Sequence, residues 1–312
     1  MDFVYVGLGL FILILAGDAL VKGAVNLSLR VGVPALIVSL TIVAFGTSAP
    51  ELIISINAVR SGLPGLALGN VIGSNTANIL LVLGVPALLV GLHTARCETR
   101  RSYQQMIAAT GLFIVVCFLG PIGPIHGVIL LAALAYMLSD AFRAALAHRA
   151  LDIKEEDVEG ADPDLSWAKI ALFLVLGLIG LPLGADILVD ASTSIARAYG
   201  ITEEVIGLTL VALGTSLPEL ATTVMAAYRR QADVALGNVI GSNMFNLLAL
   251  IGVTTFFGKL RVPAEFLHSD LWVMATASLL LIPFVYFRFN LTRTAGVVLT
   301  ALYVLYIVSL FH

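Results

Sequence analysis

The sequence predicts an all-α integral membrane protein of about ten transmembrane helices, arranged in two inverted five-helix repeats. Three observations support this class: a strongly apolar composition, ten long apolar runs, and two motifs that recur in the second half of the chain. Of the 312 residues, 59% are hydrophobic and 12% are charged, and the mean hydropathy is +1.02. A soluble globule of this composition would expose more apolar surface than a monomer tolerates. Soluble enzymes and DNA-binding modules are therefore excluded.

Ten apolar runs are long enough to cross a bilayer, which takes about 20 residues in a helix. They predict helices because lipid admits only helices and closed barrels, and barrel strands are shorter and alternate in polarity. The first run has no Lys or Arg ahead of it, so it is interpreted as a span of the mature protein and not as a signal peptide. The predicted spans are 3–29, 33–59, 65–92, 103–119, 125–147, 166–198, 201–228, 234–257, 266–287 and 293–311.

A polar stretch at 143–163 separates the fifth and sixth runs. Its acidic residues do not have the spacing of an EF-hand calcium loop, so the stretch is interpreted as a solvated linker. These acidic residues are Asp152, Glu155, Glu156, Asp157, Glu159 and Asp162. The predicted organisation is a first repeat at 1–147, an acidic linker at 148–165 and a second repeat at 166–312.

Two motifs of the first half recur in the second half with a constant offset of 168 residues. Residues 46–52 (GTSAPEL) return as 214–220 (GTSLPEL), and residues 67–75 (ALGNVIGSN) return unchanged as 235–243. The same offset relates Asp18 to Asp186 and Asn78 to Asn246. A duplicated five-helix unit explains this repetition. Because five is odd, the second copy starts from the opposite side of the membrane, which is an arrangement typical of transporters.

The distribution of Lys and Arg predicts the orientation of the chain. The side that holds both termini carries four, whereas the opposite side carries twelve. The four are Arg60, Arg197, Lys259 and Arg261. Since basic residues concentrate in cytoplasmic loops, both termini are predicted outside and the acidic linker in the cytoplasm, with the plasma (inner) membrane as the location.

Each copy of the first motif places a proline and a glutamate inside a predicted span. Pro50 and Pro218 lack the N–H group that an uninterrupted helix donates to the carbonyl four residues earlier, so each helix must kink or break. A carbonyl released at membrane depth needs another partner, such as a cation or a trapped water. Glu51 and Glu219 follow these prolines directly. An ionisable side chain inside a span indicates function by default.

Hydroxyl and amide side chains accompany the two glutamates. Those of the second motif recur every four residues and so face one side of their helix. The accompanying residues are Thr47, Ser48, Ser74, Asn78, Thr215, Ser216, Ser242 and Asn246. Carboxylate, amide, hydroxyl and backbone oxygens suit hard cations such as calcium or sodium, and the lack of His and Cys in the set argues against zinc and copper. The sequence thus predicts a cation site formed by the second, third, seventh and eighth helices.

Other residues of the spans have more ordinary interpretations. The motif glycines favour close packing between helices. Asp18 and Asp186 stay open between capping, pairing (Asp18 with Lys22 at i+4) and relaying ions. Glu203 and Glu204, at the predicted outer start of the seventh helix, are interpreted as a solvated helix terminus.

The duplicated motifs resemble the two alpha-repeats of the cation/calcium exchanger superfamily, and most closely those of its sodium/calcium exchangers. The resemblance covers about 16–84 and 184–252. It implies secondary-active antiport of sodium and calcium without a cofactor, and first and sixth helices that slide as gates. It further implies Glu51 and Glu219 as the central acids of the ion site, with the eight hydroxyl and amide residues around them. The implied partners are the lipid bilayer and these ions, with no obligatory protein partner.

One position departs from some relatives, which carry an aspartate where this chain has Asn246. The site then holds two formal negative charges, which one calcium ion neutralises, and potassium dependence is disfavoured. Two alternatives stay open at this point. A proton/calcium exchanger would use the same glutamates in protonated form. A membrane-embedded enzyme with paired acids is the more remote alternative, because the chain lacks an HExxH motif and a nucleophile–base pair.

Overall fold

The computed structural model describes residues 1–150, 162, 164–201, 210 and 212–310. These residues are nearly all helical, and in place of strands they contain two isolated antiparallel bridges. The all-helical prediction is therefore confirmed. Most of the predicted acidic linker, and the pair Glu203 and Glu204, lie outside the described residues.

Eleven principal helices follow one another in the described part of the chain, and short helical turns at Thr94–Arg96 and Ala212–Gly214 connect some of them. The helices are α1 (Asp2–Val31), α2 (Ala35–Thr47), α3 (Ala49–Arg60), α4 (Pro64–Leu89), α5 (Arg100–Phe118), α6 (Pro124–Ala150), α7 (Trp167–Ala198), α8 (Leu217–Tyr228), α9 (Ala232–Thr254), α10 (Ala264–Tyr286) and α11 (Arg293–Ser309). Most described boundaries lie within three residues of the predicted spans.

Six of the described helices are long and apolar enough to cross a membrane, and the count becomes seven if α2 and α3 form one broken span. The predicted count of ten spans stays a prediction. The axes of α2 and α3 differ by 41°. The bend lies at Ser48, directly before the first turn of α3, which contains Pro50. Pro218 occupies the equivalent place in the first turn of α8. The predicted interruption before Pro50 is confirmed, since proline is tolerated in a first helical turn but not in a helix interior.

The helices pack as a large core with a smaller unit beside it. Helices α4 and α9 lie at the centre, and the apolar stretch of α9 is buried along its whole length. Most residues in the apolar stretches of helices α1 and α7 are not buried within the protein, as expected for helices that border lipid. They share a small apolar cluster of their own, with residues of α2. Helices α1 and α7 thus form a pair at the side of the main core.

Two mirrored glycine contacts bring α1 and α7 together. A Cβ atom added to Gly177 would lie 2.5 Å from Leu20 Cβ, and one added to Gly9 would lie 2.8 Å from the backbone nitrogen of Leu188. Gly9 and Gly177 are 168 residues apart, as are Leu20 and Leu188. Each glycine therefore allows a backbone approach that no larger residue permits.

Two antiparallel bridges connect loops that are far apart in sequence. Leu92 pairs with Leu291, and Ile122 pairs with Leu260. Ile122 and Leu260 exchange two backbone hydrogen bonds, of 2.8 and 2.9 Å. Leu92 donates to the Leu291 carbonyl at 2.8 Å, and the hydroxyl of Thr94 accepts from the Leu291 N–H at 3.2 Å. Each bridge joins a loop of the first half to a loop of the second.

The close packing of α1 on α7 makes the substitution Gly177→Ala informative. The added methyl group would overlap the backbone of Leu20, so we expect the free energy of unfolding to fall by about 1–3 kcal/mol. Thermal unfolding of the purified protein in detergent measures this change. The matched control is Gly111→Ala in α5, where an added Cβ meets no atom within 4 Å. Equal melting temperatures for the two variants would contradict the described α1–α7 packing.

Candidate ion-binding site

The helix breaks before α3 and α8 meet in the protein interior. The hydroxyl group of Ser48 donates a hydrogen bond of 3.2 Å to Glu219 Oε1. Ser48 stands between α2 and α3, whereas Glu219 belongs to the first turn of α8, so this bond joins the two halves of the chain. Both side chains are buried. The two motifs that the sequence repeats are therefore neighbours in space.

The two glutamates occupy equivalent positions in the first turns of α3 and α8. Glu51 and Glu219 are each 1% exposed, and Ser48, three residues before Glu51, is hydrogen-bonded to Glu219. The N–H groups of a first helical turn point toward this end of the helix and favour negative charge there. The proline one position earlier starts each helix at this point. The sequence thus sets both carboxylates at the positive ends of two short helices.

Buried oxygens without a hydrogen-bond partner distinguish this region. Six of the predicted site residues carry such an atom among the described residues. They are Glu51 Oε2, Asn78 Oδ1, Ser216 Oγ, Glu219 Oε2, Ser242 Oγ and Asn246 Oδ1. Buried polar atoms almost always have a partner, and leaving one unsatisfied costs about 1–3 kcal/mol. Oxygen atoms with free lone pairs are the ligands that hard cations prefer, so the arrangement is suited to a cation.

Asn78 and Asn246 lie in widened helical turns. A π-helical turn at Asn78–Val82 interrupts α4, and one at Phe245–Leu250 interrupts α9. Such turns are rare and occur often at functional sites. The repeated asparagines are therefore placed where the regular helical geometry is locally altered in both halves.

The remaining predicted residues are Thr47, Ser74 and Thr215, which differ in burial. The hydroxyl of Thr47 donates to the Ala44 carbonyl at 3.3 Å and to Asn238 Oδ1 at 3.4 Å. Ser74 is buried on α4, four residues before Asn78. Thr215 is half-buried directly before Ser216. The described residues contain no group of three or more His, Cys, Asp and Glu side chains placed to hold one metal ion, so hydroxyl and amide oxygens must provide most ligands of any cation held here.

Two buried asparagines take part in the network that the sequence alone did not single out. Asn238 donates to the Glu219 carbonyl at 3.3 Å and to Thr223 Oγ1 at 3.0 Å, in addition to accepting from Thr47. Asn243 Oδ1 accepts a bond of 3.0 Å from Asn78 Nδ2. Both belong to the repeated GNVIGSN motif. Their recurrence as uncharged polar residues inside a predicted span was the feature of the sequence that could have identified them.

Asp18 lies apart from this region and forms ion pairs. Its carboxylate lies 2.9 Å from Lys22 Nζ and 2.5 Å from Arg229 Nε. Of the interpretations left open by the sequence, pairing is therefore the one observed. Arg229 was not foreseen as a partner because it is 211 positions away. Asp186, the repeat counterpart of Asp18, is exposed.

A bundle of apolar helices that carries two interrupted helices and buried, unpartnered oxygens defines a membrane transporter for cations. The family model described as sodium/calcium exchanger protein matches residues 1–141 and 169–312. The chain belongs to this family. The resemblance drawn from the motifs is thereby confirmed. The chain is an integral membrane protein of a transporter family, and the remote enzyme alternative is wrong because the family consists of exchangers.

Individual relatives agree with this assignment over most of the chain. Sodium/calcium exchanger MaX1 of Methanosarcina acetivorans is 34% identical, over 100% of this chain and 99% of the relative. The Ca²⁺/H⁺ antiporter ChaA of Bacillus subtilis is 27% identical, over 75% of this chain and 72% of the relative. A solved structure of the sodium-calcium exchanger NCX_Mj, soaked with Na⁺ and Sr²⁺, superposes with a TM-score of 0.84 and 31% identity, covering 98% of this chain and 97% of that one.

The burial of two carboxylates predicts a measurable effect on stability. In buffer without sodium or calcium, Glu51→Gln should raise the free energy of unfolding by about 1–3 kcal/mol, because it removes a buried charge that the first-turn N–H groups compensate only in part. Thermal unfolding in detergent with a chelator measures the effect.

The control for this experiment is Glu265→Gln, which changes an exposed glutamate in α10 by the same chemistry. We expect its melting temperature to equal that of the wild type. A Glu51→Gln protein that melts below the wild type without ions would show that the carboxylate is satisfied by the protein itself.

Proposed function

We propose that this protein exchanges sodium for calcium across the membrane, by alternating access to one shared site between α3, α4, α8 and α9. The observation that carries the proposal is the hydrogen bond from Ser48 to Glu219. It brings the two interrupted helices together at a place where buried oxygens have no partner. The names of the relatives, which include sodium/calcium exchangers and a Ca²⁺/H⁺ antiporter, support antiport of calcium and a second cation.

The proposed ligands fall into a charged and a neutral group. Glu51 and Glu219 carry the two negative charges, which one calcium ion balances. The neutral oxygens come from Thr47, Ser48, Ser74, Asn78, Thr215, Ser216, Ser242 and Asn246. Because Asn246 is neutral, no third charge is available for an additional monovalent ion such as potassium. Hard cations prefer oxygen sets of this kind.

Exchange follows from competition for the same carboxylates. Sodium and calcium both need Glu51 and Glu219, so neither binds well while the other occupies the site. An empty site leaves two like charges buried in a medium of low dielectric, which is costly. The unloaded protein should therefore resist changing sides. The ion bound on one side must be replaced by the other ion for a cycle to finish.

The proposed architecture is ten transmembrane helices in two inverted repeats, at 1–147 and 166–312, joined by a cytoplasmic linker at 148–165. Both termini lie outside, and the protein is placed in the plasma (inner) membrane. Three features support it: the constant offset of the motifs, the mirrored contacts between α1 and α7, and the two bridges between the halves. The skewed distribution of Lys and Arg supports the orientation. No cofactor or protein partner is needed for this mechanism.

A second candidate is exchange of calcium for protons at the same site. The similarity to the Ca²⁺/H⁺ antiporter ChaA favours it. The two glutamates would then release calcium on protonation, since burial without a cation disfavours the charged form of a carboxylate. The two candidates share the calcium site and differ only in the ion that returns.

Flux through reconstituted vesicles tests the proposal. Wild-type protein should take up radioactive calcium when a sodium gradient is imposed at fixed pH, and it should not do so when only a pH gradient is imposed. Glu51→Gln and Glu219→Gln should each lower uptake at low calcium by roughly 100-fold, because each removes a charge that calcium requires. The control variant is Glu265→Gln, for which uptake should stay at the wild-type level.

The outcomes separate the candidates. Calcium uptake driven by a pH gradient without sodium would favour proton exchange. Unchanged uptake in both glutamine variants would overturn the proposed site. A wild-type protein that moves calcium under neither gradient would overturn calcium antiport itself.

A further inference from the structure

The amide of Asn78 has two different ends, and the structure holds them differently. Its nitrogen donates a bond of 3.0 Å to Asn243 Oδ1, whereas its oxygen has no partner in the described part of the chain. An amide turned by 180° would present N–H donors in place of that oxygen, and a donor cannot bind a cation. The orientation of this side chain therefore decides whether Asn78 is a ligand at all.

Asn243 is itself held in one orientation. Its nitrogen donates to the Asn75 carbonyl at 3.4 Å and lies 3.7 Å from the sulfur of Met106. Its own oxygen is thereby directed at Asn78. Both asparagines are 1% exposed, so no bulk water replaces these partners. Asn243 comes from α9 and Asn78 from α4, so the bond also crosses between the two halves of the chain.

The mirrored bond is not formed. The repeat counterparts of Asn78 and Asn243 are Asn246 and Asn75. The nitrogen of Asn75 donates to the Val71 carbonyl within its own helix, at 2.7 Å, and the oxygens of Asn75 and Asn246 have no partner among the described residues. A buried asparagine at the last position of the motif, which is shared by Asn75 and Asn243, therefore does not by itself form a bond to the asparagine of the other half.

We infer that Asn243 is a positioning residue, which fixes the Asn78 amide with its carbonyl oxygen toward the cation. This inference rests on the proposed function, because it assigns a role at the same site. Removing the acceptor frees the Asn78 amide to turn. The cation then loses a ligand for part of the time, although Asn78 itself is unchanged.

The test compares three variants of the full-length protein by calcium binding in detergent and by sodium-driven calcium flux. Asn243→Ala should raise the half-saturating calcium concentration about tenfold, the equivalent of one buried hydrogen bond, while the maximal flux changes less than twofold. Asn243→Asp keeps an oxygen that accepts from Asn78 and should restore the half-saturating concentration to within about threefold of wild type. Asn75→Ala removes an equal buried amide at the mirrored position and should leave the half-saturating concentration unchanged.

Each result decides the matter. Equal loss of affinity in Asn75→Ala and Asn243→Ala, or no rescue by Asn243→Asp, would overturn the positioning role and indicate a packing effect. Unchanged affinity in Asn243→Ala would overturn it as well. Failure of the proposed function is separate, because wild-type protein would then bind no calcium in the same assay.

A different observation carries a second inference, which concerns the Asp18 ion pairs. Asp18 lies on α1, and Arg229 directly follows α8, so their bond of 2.5 Å joins the α1–α7 pair to the helices that carry the site. Lys22 pairs with Asp18 within α1, so this ion pair does not connect two helices. The two side chains of the inter-helix pair are 22% and 27% exposed, which leaves their attraction less screened than at an open surface.

This ion pair has no counterpart in the other repeat. The positions that correspond to Asp18, Lys22 and Arg229 are Asp186, Asp190 and Ser61. Two acids and a serine provide no positive charge, so the mirrored arrangement of helices would gain no such bond. A conformation in which α1 and α7 exchange roles is therefore electrostatically less favourable than the one described.

The geometry points to Asp18 and Arg229 as a one-sided latch, which holds the α1–α7 pair in the described position and biases the protein toward one of its two access states. Hydrogen–deuterium exchange of α1 in calcium-free purified protein tests it. Arg229→Gln should speed exchange in α1 about fivefold, whereas Lys22→Gln, which removes an equal charge from the same carboxylate, should change it less than twofold.

Charge exchange completes this test. Asp18→Arg combined with Arg229→Asp should return α1 to the wild-type exchange rate. Equal effects of Arg229→Gln and Lys22→Gln, or a combined variant no slower than the singles, would overturn the latch. Because exchange is measured without transport, a failure of the proposed antiport would leave this result interpretable.

Discussion

Two carboxylates buried in a membrane-embedded interior, without a basic residue at ion-pair distance among the described residues, are the constraint on which the site depends. Charge in such a place is tolerated only when other groups compensate for it. The protein supplies part of the compensation through the first turns of α3 and α8, where N–H groups face the acids. Interrupting two helices is the means by which these turns reach the interior. In the proposed site, a cation bound by the unpartnered oxygens around them would provide the remainder.

The polar network around the site is less symmetric than the sequence. The first half contributes a bond from Ser48 to Glu219, yet the hydroxyl of the matching Ser216 has no partner among the residues that the structure describes. Asn243 holds Asn78, whereas Asn75 does not hold Asn246. An inverted repeat with perfect symmetry would face both sides of the membrane equally. Under the proposed alternating access, a state that opens to one side only must break that symmetry, and these unequal bonds distinguish the two halves in the described state.

The helix breaks, the buried acids and the repeat could be predicted from the sequence, because proline, glutamate and a constant motif spacing each have the same meaning wherever the helices are placed. Pro50 interrupts a helix wherever it stands in an interior, and Glu51 is costly at any membrane depth. The partners of Asn78 and Asp18 were not readable in this way. The repeated motif marks Asn243 as a polar residue inside a span, but it does not show which side chain Asn243 binds. Lys22 already satisfies Asp18 locally, so nothing in the sequence required Arg229. Pairings of this kind depend on how helices from opposite halves are placed, and that placement is a tertiary property.

The two antiparallel bridges have a consequence for biogenesis. Leu92 and Ile122 emerge from the ribosome long before Leu260 and Leu291, and their backbone groups find these partners only when the last helices have been inserted. The early helices must therefore wait in the bilayer with incomplete packing. Backbone groups that pair only after the second half is inserted can form the same hydrogen bonds when the second half is a separate polypeptide. If the chain is divided between α6 and α7, both fragments keep the residues of the two bridges. The fragments should therefore associate when they are co-expressed.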